Sequence, residues 1–337
     1  MAYFNLTSGT TGISKCAVTT HANIYWNTKS AVECLALTPD DIHLCMFPVF
    51  AHPHELFARP LFLGGTIVLI NTIFPKAIAK TISDNKVTCI MAVASIYETL
   101  VRLHKSSPFS LDSLRLPESG GMHINPDLAE NFRDRFKTPL VPVWGSTETA
   151  GIALSASVHG RNRPGSMGKP CPYYDVKVTG SDGTEPAPGE SGEMAIRGPA
   201  VCTEYYSSPE ETGRHMKDGW FHTGDIVKKD PDGNFFFVGR QTGMMKVAGM
   251  KVFPTEIEDV LITHPLIAEV AVVRGNHRLY GEIPKAVIVP EEGHELGRKE
   301  IRLYCERALS KYKVPRVIEF RKELPKTPGG KILSRLL

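Results

Sequence analysis

A cluster of hydroxyl, glycine and lysine residues stands near the start of this 337-residue chain. It reads Thr7, Ser8, Gly9, Thr10, Thr11, Gly12, Ile13, Ser14 and Lys15. Glycines allow turns that expose backbone N–H groups, hydroxyls add donors and the lysine adds a cation, so the cluster suits a polyphosphate. The spacing differs from a Walker loop, in which four residues separate the glycines and Lys-Ser/Thr follows directly. An ordinary Ser/Thr/Gly turn is the alternative interpretation.

A second group of polar residues follows a predicted buried strand at 140–143. It consists of Trp144, Gly145, Ser146, Thr147, Glu148 and Thr149, and strand ends are where α/β sheets bind ligands. The Trp144 ring can stack on a purine, Thr147 can donate to a phosphate, and Glu148 offers the oxygen that Mg²⁺ prefers. The alternative is a core tryptophan beside a solvated glutamate.

Two further motifs lie in the second half of the chain. Asp225 follows a glycine-bounded turn at 219–224 and could accept both hydroxyls of a ribose, although a plain hairpin would have the same sequence. A stretch at 238–258 leads into a helix that we predict Thr255 to cap. A basic loop at 325–331 closes the series and, taken alone, is a solvated terminus.

The order of these motifs resembles that of the adenylate-forming superfamily, which comprises acyl-CoA synthetases, aryl-CoA ligases, luciferases and peptide-synthetase adenylation domains. The resemblance covers essentially the whole chain. For the nucleotide, it implies that the ATP phosphates are bound by Thr7, Ser8, Gly9, Thr10, Thr11, Gly12 and Lys15, and that adenine and ribose contact Gly120, Gly121, Trp144, Asp225 and Arg240. It implies that Thr147, Glu148 and Lys331 are catalytic and that Glu148 also holds a metal ion. For the other substrates, it implies that His52 and Gly145 border the acid pocket, that Gly249 lines a thiol tunnel and that Thr242 is a hinge.

The acid pocket is the least defined of these sites. Within 47–54, either His52 or Ala51 could border the acid, and two surface histidines are the alternative. The small residues Gly120 and Gly121 would allow a flat ring to approach the backbone closely. Fatty, aromatic and small acids all remain candidate substrates.

The implied reaction is the AMP-forming ligation of a carboxylic acid to a thiol. ATP and coenzyme A would be the co-substrates, and Mg²⁺ would be the cofactor. A carboxylate repels the phosphates of ATP, so cations must bridge the two anions, and Lys331 and a Mg²⁺ ion on Glu148 suit that task. Attack on the α-phosphorus would give an acyl-adenylate and pyrophosphate, and a thiol would then displace AMP. Two other functions stay open: an adenylating enzyme that loads an acyl carrier protein, and a nucleotide-binding subunit that needs a partner chain.

The front of the chain departs from the family pattern. Members usually carry a domain-sized segment before the phosphate loop, whereas Met1 to Leu6 precede it here. The expectations are a naturally short protein, a split enzyme whose separate chain supplies the segment, or a fragment.

Composition narrows the class of protein. The 39 basic and 36 acidic residues are interspersed and give a net charge of +3, which argues against nucleic acid as a partner. The absence of a long apolar run predicts no membrane span. The seven cysteines contain no C-x-x-C pair, so we expect reduced thiols and a cytoplasmic location.

Hydrophobic periodicity predicts an α/β fold with a parallel βαβ core, a β-rich subdomain at about 160–240 and a small α+β C-terminal domain. The resemblance implies that this C-terminal domain, at 243–337, is a mobile lid and that residues 1–240 form a large domain that binds the nucleotide and the acid. It implies a hinge between them at 240–243, where Thr242 stands in place of the usual Asp or Lys. The predicted strands are 66–70, 87–93, 140–143, 193–197, 234–238, 268–273 and 285–289, and the predicted helices are 96–104, 126–136, 255–263 and 298–311.

Overall fold

A computed structural model describes residues 1–7, 15–46, 54, 57–121, 124, 126–158, 162–180, 182–278, 281–326 and 332–337. The chain forms two compact units, of which the larger contains Met1–Thr223 and Lys228–Phe237. The second contains Gly224–Val227 and Val238–Leu337. Within the described ranges, no helix is both long and apolar enough to cross a membrane.

Helices and strands alternate up to residue 158, and strands dominate from there to residue 240. The helices are α1 (His21–Cys34), α2 (Ala58–Leu63), α3 (Pro75–Asn85), α4 (Ala94–Ser106), α5 (Pro126–Phe136) and α6 (Pro209–His215). The strands are β1 (Tyr3–Leu6), β2 (Cys16–Thr19), β3 (Ile42–Cys45), β4 (Thr66–Leu69), β5 (Cys89–Ala92), β6 (Leu116–Ser119), β7 (Val141–Ser146), β8 (Gly151–Ser155), β9 (Ser166–Pro170), β10 (Asp175–Thr179), β11 (Ser191–Arg197), β12 (Met216–Lys217), β13 (Trp220–Lys229) and β14 (Phe235–Arg240).

One large sheet has the strand order β10-β11-β13-β14-β9-β8-β7-β6-β5-β3-β4. The strands from β4 to β7 pair in parallel, as the βαβ prediction requires. From β7 onward the pairing with β8 and then β9 is antiparallel, and the register shifts between Trp144 and Gly145. The strand β7 therefore joins the predicted parallel core to the predicted β-rich subdomain and carries the Trp-Gly-Ser-Thr-Glu motif at its end.

The parallel part of the sheet has an apolar core with one charged pair inside it. The ring of Tyr97 on α4 meets the ring of Phe132 on α5 edge to face, with 5.3 Å between centroids. Beside them, Nη1 of Arg59 on α2 donates to both carboxylate oxygens of Glu118 on β6, at 3.0 and 2.8 Å. Both residues are only 2% exposed. Burial and then the Arg59 charge lower the pKa of the nearby His43 to about 4, so this histidine is neutral at pH 7.

Helix α1 presents several buried amides and hydroxyls to its neighbours. The helix starts with a capping box, in which the Thr20 hydroxyl accepts the Asn23 N–H and the Asn23 side chain accepts the Thr20 N–H. Three side chains along it then donate to distant parts of the larger unit. Asn23 donates to the Pro199 and Val201 carbonyls, Asn27 to the Ile152 carbonyl and the Tyr174 hydroxyl, and Ser30 to the Pro172 carbonyl.

The second unit is the predicted α+β domain. Its elements after residue 240 are β15 (Met245–Val247), β16 (Met250–Val252), α7 (Pro254–Leu261), β17 (Ile267–His277), β18 (Gly281–Pro290), α8 (Arg298–Ala308) and β19 (Val317–Phe320). The sheet has the order β16-β15-β18-β17, with β19 paired in parallel to β18. Ile257 and Leu261 of α7 and Ile301 and Cys305 of α8 are fully buried in the core of this unit.

The prediction that Thr255 caps α7 is wrong. The helix begins after Phe253, and Pro254 occupies the first helical turn, where a missing N–H costs nothing. The Thr255 hydroxyl instead donates to the Val238 carbonyl at 2.6 Å. The side chain therefore links the first turn of α7 to the end of β14.

We expect Glu258→Gln to stabilise the second unit at high pH. Burial raises the pKa of the Glu258 carboxyl from its ordinary 4.5 to about 7, against the opposite effect of the Val272 N–H that it accepts at 2.7 Å. Because the folded-state pKa is the higher one, ionisation costs stability progressively as the pH rises from 4.5 to 7. Gln keeps a side-chain oxygen that can accept the Val272 N–H. Its increase in the free energy of unfolding should therefore reach about 2 kcal/mol at pH 8 and shrink toward pH 5.

Amide hydrogen exchange in α7 and β17 measures the stability of the second unit. Tryptophan fluorescence would not, because all three tryptophans lie in the larger unit. The exposed Glu306→Gln on α8 is the control. Equal protection of wild type and Glu258→Gln at pH 8 would contradict the prediction.

Candidate functional site

The two ends of the predicted phosphate loop are hydrogen-bonded to each other at the connecting end of the β1–β2 pair. Strands β1 and β2 pair antiparallel, and the Thr7 N–H donates to the Lys15 carbonyl at 2.8 Å. The Lys15 N–H donates in turn to the Thr7 hydroxyl at 3.2 Å. Ser8, Gly9, Thr10, Thr11 and Gly12 lie outside the described residues. The two ends of the predicted loop, Thr7 and Lys15, are therefore held together by two hydrogen bonds.

The Lys15 ammonium lies among three groups of the larger unit. Its Nζ atom is 2.6 Å from Oε2 of Glu211 and 3.0 Å from Nε2 of His215. It also lies 5.2 Å from the centre of the Tyr205 ring, which is a cation–π distance. The other nitrogen of His215, Nδ1, is 3.0 Å from the His222 carbonyl. A carbonyl only accepts, so Nδ1 carries the proton and Nε2 accepts from Lys15.

Tyr205 connects this lysine to Glu148. The Tyr206 N–H donates to the Cys16 carbonyl at 2.7 Å, which sets the segment against β2. The buried Tyr205 hydroxyl then donates to Oε1 of Glu148 at 2.6 Å. Burial, and next the Glu148 charge, raise the pKa of Tyr205 far above its usual value, so the hydroxyl stays protonated as a donor.

Glu148 stands in a tight turn between β7 and β8. The Ala150 N–H donates to the Thr147 carbonyl at 3.2 Å, and the Ser146 N–H donates to the Thr149 hydroxyl at 2.9 Å. The Glu148 carbonyl accepts the Cys202 N–H at 2.8 Å. The structure thus brings the predicted phosphate lysine and the predicted metal-binding glutamate to one aromatic ring, with the predicted Thr147 in the same turn.

The two residues predicted to bind ribose meet in the second unit. Nε of Arg240 is 2.5 Å from Oδ1 of Asp225, which is fully buried. Thr242, the predicted hinge, follows in a single 3₁₀ turn at Gln241–Gly243. Gly249, the predicted tunnel residue, is exposed in the turn between β15 and β16 with φ of +83°.

The predicted lysine at the end of the chain, Lys331, lies outside the described residues. Lys326 in the same motif is described, and its Nζ is 2.7 Å from Oε1 of Glu269. The catalytic role of Lys331 remains a prediction.

The predicted acid-pocket residues His52 and Ala51 also lie outside the described residues, but His54 is well placed. This histidine is 4% exposed, so the alternative of two surface histidines is wrong for it. Its Nε2 is 2.8 Å from the Ala150 carbonyl and its Nδ1 is 2.5 Å from the Tyr3 hydroxyl. The ring therefore connects β1 to the end of the Glu148 turn.

The structure gives Gly120, Gly121 and Trp144 surroundings that do not depend on a bound nucleotide. A Cβ atom on Gly120 would lie 2.9 Å from Cγ2 of Val143, so packing against β7 already requires glycine there. Gly121 has φ of +75°, and no atom lies near its position for a Cβ. Trp144 is half-buried and pairs with Leu154 across β7 and β8. Contact of these residues with adenine remains a prediction.

Two family profiles match the chain. The profile of the AMP-binding enzyme family matches residues 1–206. That of the AMP-binding enzyme C-terminal domain matches residues 256–331. This chain belongs to the adenylate-forming, AMP-binding enzyme family. The match confirms the resemblance drawn from the motifs.

Curated relatives of this AMP-binding enzyme are named as CoA ligases. Feruloyl-CoA synthase from Amycolatopsis sp is 34% identical over 331 residues, which are 97% of this chain and 67% of that protein. Long-chain-fatty-acid–CoA ligase from Yersinia pestis is 34% identical over 345 residues, which cover 100% of this chain and 61% of that protein. The chain thus spans about two thirds of the length of these relatives.

Solved structures of the family agree in fold. ATP-bound MatB from Rhodopseudomonas palustris has a TM-score of 0.92 at 28% identity, covering 99% of this chain and 66% of that chain. The o-succinylbenzoate-CoA synthetase MenE from Bacillus subtilis, in complex with ATP and magnesium ion, has a TM-score of 0.90 at 28% identity, covering 99% and 69%. The predicted fold class of an adenylate-forming enzyme is confirmed.

Sequence reasoning missed Tyr205, Glu211 and His215 of this AMP-binding enzyme. They lie about 190 residues after Lys15 in the chain, and sequence spacing alone cannot reveal that they meet it. The signal that could have prompted a search is the polar sequence Ser208-Pro209-Glu210-Glu211, which is typical of a helix start.

We expect Gly145→Ala to destabilise the AMP-binding enzyme and disturb the Glu148 turn. A Cβ atom on Gly145 would lie 2.4 Å from the Gly151 carbonyl oxygen, which is backbone and cannot move aside cheaply. Overpacking of this kind costs about 1–3 kcal/mol. Gly213→Ala in α6, where no atom lies within 4 Å, is the matched control and should be neutral. Urea unfolding followed by tryptophan fluorescence measures both, and equal midpoints would refute the prediction.

Proposed function

We propose that this chain is an AMP-forming acid–thiol ligase that adenylates a carboxylic acid with ATP and transfers the acyl group to the thiol of coenzyme A. The observation that carries the proposal is the joint placement of Lys15 and Glu148 on the Tyr205 ring. A cation for phosphate and a carboxylate for a metal ion, held by one rigid side chain, are the parts that polyphosphate chemistry needs. The names of the curated relatives support the same reaction class.

Each described residue has a distinct task in the first half-reaction. Lys15 neutralises the leaving pyrophosphate, and the Asp225 carboxylate accepts the ribose hydroxyls with Arg240 beside it. The Tyr205 hydroxyl orients the Glu148 carboxylate for Mg²⁺, as outer-shell donors do for metal ligands. In the described part of the chain, no cluster of three or more His, Cys, Asp or Glu side chains could hold a metal ion alone. A Mg²⁺ ion on Glu148 would therefore take most ligands from phosphate and water.

The chemistry needs no nucleophilic side chain. The carboxylate oxygen of the acid attacks the α-phosphorus, the bond to the pyrophosphate oxygen breaks, and the acyl-adenylate forms. In the second half-reaction the thiolate sulfur attacks the acyl carbon, and AMP leaves with the oxygen that joined the two. We assign to Lys331 the charge stabilisation of the first step and to Thr242 the pivot of a lid that exchanges Lys331 for the thiol at Gly249.

The curated relatives are named as feruloyl, long-chain fatty acid and indoleacetate CoA enzymes, so the acids to be tested include both aromatic and fatty acids. We assign His52 and Gly145 to the acid pocket.

We also place the protein in the cytoplasm, which its seven free cysteines support.

Acid-dependent ATP–pyrophosphate exchange tests the adenylation step. The chain is assayed with Mg²⁺ and panels of fatty, aromatic and short acids, beside Glu148→Gln and the exposed control Glu204→Gln. We expect exchange with one panel, a loss of about 10²-fold in Glu148→Gln and none in the control. Transfer to CoA compared with transfer to a phosphopantetheine carrier protein then identifies the acceptor. Exchange that survives Glu148→Gln would refute the assignment of this residue.

A second candidate function is that of a nucleotide-binding subunit that acts only with further polypeptide. The edge strand β4 favours it. Among the described residues β3 is the only strand paired with β4, and the sixteen residues from Pro60 to Pro75 include no charged side chain. Exposed apolar side chains surround this edge: Leu61, Phe62, Leu69, Ile73 and Phe74. Open, uncharged sheet edges with apolar surroundings are typical of docking surfaces.

Complementation distinguishes the two candidates. Exchange is measured with the chain alone and after adding a separately produced polypeptide that matches the remaining third of feruloyl-CoA synthase. Activity of the chain alone supports the complete ligase. Activity that requires the added polypeptide, and that Leu69→Lys at the edge abolishes, supports the subunit.

A further inference from the structure

We propose that Glu211 holds the Lys15 ammonium in the nucleotide-free chain and competes with the phosphates of the nucleotide for it. Glu211 is thus a positioning residue that sets the affinity for the polyphosphate. The inference rests on the proposed function for the identity of the ligand and on the described contacts for the ion pair.

The contact between the two charges is close and partly shielded from solvent. Nζ of Lys15 and Oε2 of Glu211 are 2.6 Å apart, and the two side chains are 18% and 25% exposed. The other carboxylate oxygen of Glu211 pairs with Arg214, so the carboxylate is anchored on α6. The hydrogen bond from Lys15 lowers the pKa of the Glu211 carboxyl, and the carboxylate is charged at neutral pH.

His215 and Tyr205 complete the holding site. His215 lies one helical turn after Glu211 on α6, so both side chains leave the same face of the helix. Its Nε2 accepts from Lys15 because Nδ1 is committed to the His222 carbonyl. The ring of Tyr205 covers the ammonium from a third direction. The lysine is therefore fixed in one position, at the closed end of the predicted phosphate loop.

A phosphate group and the Glu211 carboxylate cannot both use this ammonium without cost. The ammonium has three N–H donors, of which Glu211 and His215 take two. A polyphosphate brought to Lys15 meets the negative charge of Glu211 a few ångströms away, and like charges at that distance repel. A bound polyphosphate must therefore either displace the Glu211 carboxylate from Lys15 or remain close to its negative charge. In both cases the affinity of the chain for the polyphosphate is lower.

The chain supplies a matched control in the preceding residue. Glu210 is 87% exposed in its side chain and pairs with Arg214, not with Lys15. Glu211→Gln keeps an oxygen that can accept from Lys15 but removes the charge, and Glu210→Gln removes an equal charge one residue away. Any effect of net charge alone is the same in both variants.

Binding of pyrophosphate and of Mg–ATP to the full chain, measured by calorimetry, tests the competition. We expect Glu211→Gln to bind pyrophosphate about three- to tenfold more tightly than wild type, as the loss of a partly shielded charge pair allows. Glu210→Gln should match the wild type. In the exchange assay, Glu211→Gln should lower the KM for ATP with a much smaller change in kcat. Unchanged or weaker pyrophosphate binding in Glu211→Gln would overturn the competition.

Chemical labelling of Lys15 tests the ion pair apart from the proposed function. The chain is treated with a limiting amine-reactive ester, and labelling of Lys15 is quantified by mass spectrometry against the exposed Lys80. We expect several-fold faster labelling of Lys15 in Glu211→Gln than in wild type or Glu210→Gln. Equal rates in all three would overturn the proposal. Faster labelling in a chain that binds neither pyrophosphate nor ATP would support the ion pair and refute the ligase.

Discussion

Replacing Arg59 by Met should lower the free energy of unfolding of the larger unit by about 3–5 kcal/mol, because it leaves the Glu118 carboxylate buried without its ion-pair partner. Arg59 and Glu118 are each 2% exposed and joined through both carboxylate oxygens. Removing one member leaves a charge that the interior cannot solvate. The double variant Arg59→Met with Glu118→Leu should recover most of the loss, because no charge then remains.

Urea unfolding followed by tryptophan fluorescence measures this effect, since all three tryptophans lie in the larger unit. The exposed pair of Glu98 and Arg102 on α4, 3.0 Å apart, provides the control. Arg102→Met should cost at most about 0.5 kcal/mol. If Arg59→Met and Arg102→Met were equally mild, the pair would not be buried as described.

Lys331→Ala should reduce adenylate formation by about 10²–10⁴-fold while largely sparing thioester formation from a supplied acyl-adenylate. The cation neutralises charge that builds up where two anions meet at the α-phosphorus, and the second half-reaction has no such step. Lys326→Ala, five residues earlier in the same basic motif, is the control because its ammonium pairs with Glu269. We expect it to retain both half-reactions.

Separate assays of the half-reactions measure this difference. Pyrophosphate exchange reports the first, and release of AMP from synthetic acyl-adenylate and CoA reports the second. Survival of both in Lys331→Ala would show that the assignment of this lysine is wrong.

The sequence was sufficient to predict the elements that depend on local pattern. The apolar runs predicted as strands at 66–70 and 140–143 correspond to β4 and β7. Continuous apolar runs of this length are typical of parallel strands, and only β7 lies inside the sheet, whereas β4 is its partly exposed edge. The position of Glu148 shortly after the apolar run 140–143 also predicted that it would stand at a strand end. The α+β composition of the C-terminal part followed from the same periodicity.

What the sequence did not reveal depends on contacts between distant residues. Gly120 was interpreted as space for a flat ring, but the Val143 side chain already requires glycine there. Tyr205 and Glu211 carry no motif that refers to Lys15, since only the pairing of residues 204–206 with β2 brings them to it. Thr255 fitted the statistics of a helix cap, but α7 begins earlier, with Phe253 at the N-cap position and Pro254 in the first turn.

The polar face of α1 has a consequence for the order of events during synthesis. The amides of Asn23 and Asn27 find their acceptors at Ile152, Tyr174, Pro199 and Val201. At about 5–20 residues per second, the ribosome needs roughly ten to thirty seconds to add that stretch of chain. During this interval the Asn23 and Asn27 amides lack these acceptors, although α2 is already made and contacts α1. We therefore expect the polar contacts of α1 to be completed only after residue 201 has been synthesised.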